Sequence, residues 1–344
     1  MEYNIDELEP FIFGLPWFGK EDHELRRFPT SILPTLTTDM QRLVKHPAGA
    51  QIRFRARTEL IAVDLIGTAE EPRTAFSRIG QYGIDVYCDG SFIGTLDTVP
   101  GEQDKWLRTD DSRVHEYCLY LPTYSPLVIK MLVVDATCPG VPEEGTQLEP
   151  PSPFAVNGKI VVYGSSITQG AYASRPGLAY PAKLGRSLNA EVVNLGFAGA
   201  GKGEPEVADC LVDIPDVALY ILDWGCNLAD PREVGYIRER YPAMLEKIKD
   251  AHPGVPILFI SPQTFLSEFT DPNFRDSFKI IRDTIEDNYW REVDAGMNCE
   301  FIDGRDIVGP GDLDATVDGV HCNDLGFDRY VQTILPAAKR LLDI

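Results

Sequence analysis

In DGVHCNDLGF, residues 318–327, Asp318 stands three positions before His321, just ahead of a run with helical spacing. One turn of chain can hold that carboxylate beside the imidazole, fixing its tautomer and stabilising the imidazolium, as a serine nucleophile requires. Serines are available in VVYGSSITQG, residues 161–170, where Ser165 and Ser166 follow an apolar run and precede a helix start. Backbone N–H groups at such a start can stabilise an oxyanion, but a serine there can equally be a helix cap. Two further turns offer donors. NLGFAGAGKG (194–203) places glycines directly after a strand-like run, and DWGCN (223–227) ends another with the Asn227 amide. Removing one oxyanion donor typically costs about 3 kcal/mol of transition-state stabilisation. These residue types suggest acyl transfer through a serine ester.

Bringing four distant turns together is a task for the elements between them. KIVVYG (159–164), EVVNLG (191–196), DVALYILD (216–223), VPILFI (255–260) and CEFID (299–303) are short apolar runs of the kind buried in a parallel sheet. Helical stretches separate them, including 231–254, which starts at Pro231 and ends near Pro253-Gly254, and a last helix from about Asp324 to Leu342. This alternation predicts a three-layer, flavodoxin-like α/β domain with five parallel strands over residues 151–344. Ligands of such sheets bind beyond the carboxyl ends of the strands, where all four turns fall.

Residues 1–150 read differently. Short alternating segments such as QIRFRARTELIAVDLIG (51–67), HEYCLYLP (115–122) and LVIKMLVVDA (127–136) predict an all-β sandwich or jelly roll. GIDVYCDGSFIGTL (83–96) reads as a hairpin turning at Asp89-Gly90, a pair that tolerates a type I′ turn. The acidic, proline-rich stretch 139–154 reads as a linker between the two domains.

A formal net charge of −21 makes nucleic acid or an anionic membrane surface an unexpected partner. The first residues lack the basic start of a signal peptide and no run of about 18 apolar residues occurs, so a cytoplasmic protein without a membrane span is expected. Seven cysteines form no CxxC pair and no metal-ligand spacing to the five histidines, so reduced thiols and no metal are expected. His252, the other histidine of the second domain, reads as a solvated helix cap. The oligomeric state has no signature here.

Together the four turns resemble, in order, the blocks of the SGNH hydrolases, the GDSL family of esterases and lipases, over residues 160–344. Matching that family's GDSLT to GSSIT implies that Ser166 is the nucleophile and that Ser165 replaces the motif aspartate. The resemblance further implies oxyanion donors at Ser166, Gly199 (with Gly196 as the alternative) and Asn227, and a triad completed by Asp318 and His321. Leu228 stands where an aspartate often follows the asparagine. GIDVY (83–87) resembles the GxDLY signature of a β-sandwich domain that precedes this subtype. The implied activity is removal of short, acetyl-like O-acyl groups from a carbohydrate or glycosylated small molecule, or acyl transfer by the same triad, with no cofactor. Residues 261–275 are expected to line the pocket.

Three rival readings fit the sequence less well. GFAGAGKG (196–203) nearly matches a P-loop, with Gly203 where the metal-binding hydroxyl belongs. The α/β-hydrolase elbow GxSxG fails at Thr168. A non-enzymatic sugar-binding protein would leave the polar turns of the second domain without a purpose.

Overall fold

The computed structural model describes residues 1–67, 72–98, 106–109, 113–135 and 147–344. The chain forms two compact units. The first comprises Met1–Leu33, Gln41–Phe154 and Ser174–Gly177; the second comprises Pro34–Met40, Ala155–Ala173 and Leu178–Ile344.

Among the described residues, nine strands build the β-rich unit: β1 (Glu2–Asn4), β2 (Ile12–Phe13), β3 (Gln51–Ala56), β4 (Leu60–Gly67), β5 (Gly83–Cys88), β6 (Ser91–Asp97), β7 (Trp106–Arg108), β8 (His115–Tyr120) and β9 (Leu127–Asp135). Two short helices, α1 (Thr38–Leu43) and α2 (Arg78–Tyr82), interrupt the run. The strands pair antiparallel into sheets of order β1-β9-β4-β7 and β2-β3-β8-β5-β6. Both contribute to one core, with Ile52, Phe54, Ile84, Val86 and Leu119 from one sheet and Ile61, Val63, Leu132 and Val134 from the other. On β9 the buried series Leu127, Ile129 switches parity to Leu132, Val134. The cause is a register shift against β4, where Asp64 faces Met131 and Leu65 faces Ile129, so that Lys130 is the extra residue of a bulge.

The expected hairpin is β5–β6. Asp89 and Gly90 both have positive φ, 47° and 78°, as a type I′ turn demands. The Asp85 side chain, fully buried, accepts from Thr95 Oγ1 at 2.7 Å, from Arg175 at 2.8 Å and from the Gly177 N–H at 2.8 Å. The Tyr87 hydroxyl also meets Arg175, at 2.8 Å. Thus the two polar residues of GIDVY grip the segment Ser174–Gly177 within this unit. Of the stretch read as a linker, residues 139–146 lie outside the described residues. The remainder is structured: Glu149 forms an antiparallel bridge with Arg55, and the Phe154 ring lies 3.9 Å from the Arg53 guanidinium.

The second unit is a parallel sheet of β10 (Lys159–Gly164), β11 (Glu191–Gly196), β12 (Val217–Asp223), β13 (Ile257–Ile260) and β14 (Cys299–Ile302), in the order β11-β10-β12-β13-β14. Helices follow the strands: α3 (Ser166–Gln169), α4 (Tyr180–Leu188), α5 (Pro205–Val212), α6 (Ile237–Ala251), α7 (Ser267–Thr270), α8 (Pro272–Asp294) and α9 (Asp324–Leu341). The middle strands are buried along their length because helices cover both faces, which is why they read as unbroken apolar runs. Layering and strand order are those of the flavodoxin-like fold expected from the sequence. One helix differs. The stretch from Pro231 opens as loop and a short 3-10 turn at Val234–Tyr236 that includes Gly235, and α6 proper begins only at Ile237. His252 caps α6, but it is not simply solvated: its Nδ1 lies 2.7 Å from the Tyr220 hydroxyl and its ring stacks on that tyrosine.

Strand order also locates the site. The chain leaves β10 for β11 on one side, then crosses back to β12 on the other, so the crevice at the carboxyl end of β10 is the switch point of the sheet. Ser166 is the second residue beyond that strand.

Candidate active site

The two adjacent serines have different surroundings. Ser165 is buried and extended (φ −100°, ψ −159°), and its Oγ accepts the Ile167 N–H at 3.2 Å, the bond of a helix N-cap. Ser166 is the first residue of α3, half-buried, with Oγ 2.9 Å from His321 Nε2. Beyond the imidazole, His321 Nδ1 lies 2.8 Å from Asp318 Oδ2. The other carboxylate oxygen accepts the N–H groups of Val320 and His321, at 3.0 and 2.8 Å.

Partial burial would raise the Asp318 pKa, but the backbone and ring N–H groups of His321 outweigh it and hold the carboxyl below its ordinary value. Asp318 is therefore charged at neutral pH. A charged Asp318 keeps the proton on Nδ1, which leaves Nε2 as acceptor for the Ser166 hydroxyl.

The loop that carries this pair is itself held. Val317 and Thr316 fold back on His321 and Cys322 through the Val317 N–H to His321 carbonyl bond of 2.8 Å, with Gly319 at φ +79° in the tip. The segment after β13 braces it. Gln263, fully buried, donates Nε2 to the Val320 carbonyl at 2.7 Å, and the Leu266 N–H reaches the Gly319 carbonyl at 2.8 Å. Arg282 of α8 steadies that segment in turn, donating to the carbonyls of Pro262 and Gln263 and pairing with Glu268 at 2.7 Å.

Of the two glycines considered after β11, Gly196 lies against the nucleophile's helix. A Cβ there would come within 2.1 Å of the Gln169 nitrogen, so its lack of a side chain serves packing. Gly199 lies in an exposed turn at φ +70°, with open space around the position of a Cβ. The Gln169 side chain accepts the Ala198 N–H at 3.0 Å, tying that turn to α3. Asn227, in the short turn after β12, donates Nδ2 to the carbonyls of Phe197 and Gly201 at 3.2 and 3.3 Å, which places its amide beside the same turn. The P-loop-like glycines have structural reasons of their own. Gly203 lies against the Trp224 ring, donates its N–H to the Tyr163 hydroxyl at 2.8 Å, and neighbours Lys202, whose ammonium pairs with Glu233.

Sequence reading likens Asp223 to the acid that ends a Walker B strand and gives it no place beside the serine. It ends β12 beneath the site, 7% exposed, with one oxygen accepting from the hydroxyls of Tyr180 and Thr168 at 2.8 and 3.0 Å. Burial pushes its carboxyl up to about 7 against the lowering effect of those two bonds. Cys226 is close to the site, but burial pushes its thiol up to about 12, so it is no thiolate nucleophile at neutral pH. A small recess opens beside Ser165, lined by Ile167, Trp224, Cys226, Gln263 and Phe265 among others. Elsewhere, among the described residues, candidate metal donors of Cys88, Asp89 and His115 lie within 4.8 Å of one another. There the Asp89 carboxylate already takes the His115 ring at 2.6 Å and the Glu116 N–H at 3.0 Å, tying the turn of the β5–β6 hairpin to β8.

A serine, a histidine and an aspartate in a hydrogen-bonded row at the switch point of a flavodoxin-like sheet mark the carboxylic ester hydrolase class. The chain belongs to the GDSL-like lipase/acylhydrolase family, whose model matches residues 157–339, while residues 3–134 match the GxDLY model, the N-terminus of SGNH-hydrolase-type esterases. It is similar to a GDSL-like lipase from Bacteroides ovatus, with 31% identity and a TM-score of 0.85 over 100% of this chain and 98% of that one. In fold it is also similar to the salicylyl-acyltransferase SsfX3 of a tetracycline biosynthetic pathway (19% identity, TM-score 0.77, 92% of this chain and 89% of that one). A family two carbohydrate esterase from Clostridium thermocellum shares the fold at 11% identity and a TM-score of 0.62, covering 86% of this chain and 93% of that one. Comparison with curated proteins gives no match. Among the described residues, no helix is long and apolar enough to cross a membrane.

Proposed function

We propose that the protein is a serine esterase that removes short, acetyl-like O-acyl groups from a carbohydrate or glycosylated small molecule through an acyl-enzyme. The observation that carries the reading is the row Ser166 Oγ, His321 Nε2 and Nδ1, Asp318 Oδ2, with steps of 2.9 and 2.8 Å. His321 Nε2 takes the proton of Ser166 as Oγ attacks the ester carbonyl carbon. The carbonyl oxygen, now an anion, is held by the backbone N–H groups of Ser166 and Gly199 and the Asn227 amide. As the tetrahedral adduct collapses, Nε2 gives its proton to the leaving alcohol; water, deprotonated by the same nitrogen, then releases the acid and restores Ser166. In this reading residues 1–150 are a β-sandwich domain and residues 151–344 the catalytic domain, with no cofactor in the reaction.

Short acyl groups are supported by the bulky side chains, Ile167, Trp224 and Phe265 among them, that wall the recess beside Ser165. A sugar alcohol is supported by the fold shared with the carbohydrate esterase. The fold shared with the salicylyl-acyltransferase favours a second reading, in which an acceptor alcohol replaces water. An ester panel from acetate to long acyl chains, on sugars and on simple alcohols, with Ser166→Ala as blank, tests the proposal. Turnover should be highest with acetylated sugars and absent from the blank. A preference for long acyl chains, or turnover that survives in the blank, would overturn it, and acyl-sugar formation on adding an acceptor sugar reads the transferase branch.

A further inference from the structure

Six residues after Ser166, the chain does something costly. α3 ends at Gly170 in the left-handed conformation (φ +103°), and the Ala171 N–H returns to the Ser166 carbonyl at 2.9 Å. The Ala173 N–H then reaches the Gly170 carbonyl at 3.2 Å, closing a four-residue turn whose third residue is Tyr172 at φ +65°. In a type II turn that position favours glycine or asparagine, and a bulky side chain there is an outlier. Backbone strain of this kind persists where the surroundings enforce it, and it clusters at functional sites.

The turn delivers the tyrosine ring to His321. The Tyr172 ring is half-buried, its centroid 5.0 Å from that of the imidazole, with 38° between the planes. His321 Nε2 is also the atom that must protonate the leaving alcohol, so that alcohol has to lie within hydrogen-bond reach of Nε2 and therefore beside the ring bordering the imidazole. The residues that line the recess beside Ser165 do not include Tyr172.

We propose that Tyr172 is a specificity-determining residue, its ring forming a wall for the apolar C–H face of a pyranose whose ester oxygen faces His321. This rests on the carbohydrate-ester reading above. The aromatic face supplies area and shape at little conformational cost, while the polar edge of the sugar stays toward solvent. A small alcohol such as ethanol cannot reach that face, so the ring discriminates between the two.

The test compares kcat/KM for ethyl acetate and for a mono-O-acetylated methyl pyranoside in the full-length wild type, Tyr172→Phe, Tyr172→Gly and Tyr172→Asn, with Ser166→Ala as blank. Glycine and asparagine both accept φ +65°, so the turn itself should persist in both variants, and a cooperative melting curve for each separates the result from misfolding. The preference for the pyranoside should fall about tenfold in both, chiefly through KM, and persist within about twofold in Tyr172→Phe. An equal loss on both esters, or a shifted acid limb of the pH profile with unchanged preference, would mean that the ring only supports His321 and would overturn the proposal. A wild type active on ethyl acetate but not on the pyranoside would retire the sugar reading and Tyr172's role with it, leaving the triad standing. Turnover surviving in Ser166→Ala would instead show that the triad reading had failed first.

Discussion

One carboxylate oxygen of Asp223 accepts the hydroxyl of Thr168 at 3.0 Å, fastening the end of β12 to the short helix that opens with Ser166. The same oxygen takes the Tyr180 hydroxyl at 2.8 Å, so α4 is tied to the point as well. A neutral acid suits this position, since burial beside Tyr330 and Tyr241 opposes the charged form.

That burial makes stability depend on pH. With the folded carboxyl near 7 and the unfolded one near 3.8, the native state holds a proton that the unfolded state releases within that window. The contribution is complete below about pH 4 and is lost as pH rises through 7, with a span of roughly 4 kcal/mol as an upper bound. Asp318 acts in the opposite sense: its lowered pKa gives stability above the unfolded value that is lost on acidification. Urea midpoints of the wild type and Asp223→Asn at pH 5 and pH 8 separate the two effects. The variant should lose less between these pH values, and parallel behaviour would contradict the assignment.

Adjacent serines should part company on substitution. Ser166→Ala is expected to abolish ester turnover and labelling by a fluorophosphonate. Ser165→Ala removes the cap to the Ile167 N–H, costing about 1 kcal/mol of stability while leaving most of the turnover. A dead Ser165→Ala beside an active Ser166→Ala would reverse the roles.

Asp318→Asn presents either an amide oxygen or an NH₂ to His321 Nδ1. With the NH₂ donating, the ring is held in the tautomer that puts its proton on Nε2, facing Ser166. A fall in kcat of about 10³–10⁴ is expected, with KM much less affected. His321→Ala should fall at least as far, and the double variant no further than the worse single one, because the pair acts as a unit. Additive losses would show two independent roles.

Asn227→Ala removes the amide and its ties to the Phe197 and Gly201 carbonyls. Loss of an oxyanion donor should lower kcat by about 10²–10³. Gly199→Ala meets no neighbour but is penalised by φ +70°, so a smaller kinetic loss accompanied by a drop in Tm of a few degrees is expected. An unchanged kcat in Asn227→Ala would remove that residue from the oxyanion site.

In the β-rich unit, Arg175→Ala leaves the fully buried Asp85 carboxylate without its cation. Breaking a buried pair in this way costs about 3–5 kcal/mol, and the melting curve should report it. A neutral result would assign the pair no structural weight.

What could be read from the sequence had a local cause. The parallel strands were legible because helices on both faces make them apolar throughout, and Asp89-Gly90 because two consecutive positive φ values leave few residue choices. Asp318 and His321 were legible because three residues of spacing suffice to join them. The partners that were missed are long-range. Nothing near Asp223 announces Thr168 and Tyr180, 55 and 43 positions away, and Gln263 meets the histidine loop 57 positions along the chain. Such contacts follow from strand order, which periodicity does not encode. The start of α6 is hidden in the sequence because Pro231 resembles a first helical residue, whereas the chain runs through a 3-10 turn before settling.

Strand order has a consequence in time. Ser166 follows β10, one strand in from the edge of the sheet, and its base comes 155 residues later, beyond the opposite edge strand β14. At about 5–20 residues per second, a ribosome makes the nucleophile roughly ten to thirty seconds before the histidine that activates it. Throughout that interval the nascent chain carries an unarmed serine, and reactivity toward an ester probe reports that the last strand has docked.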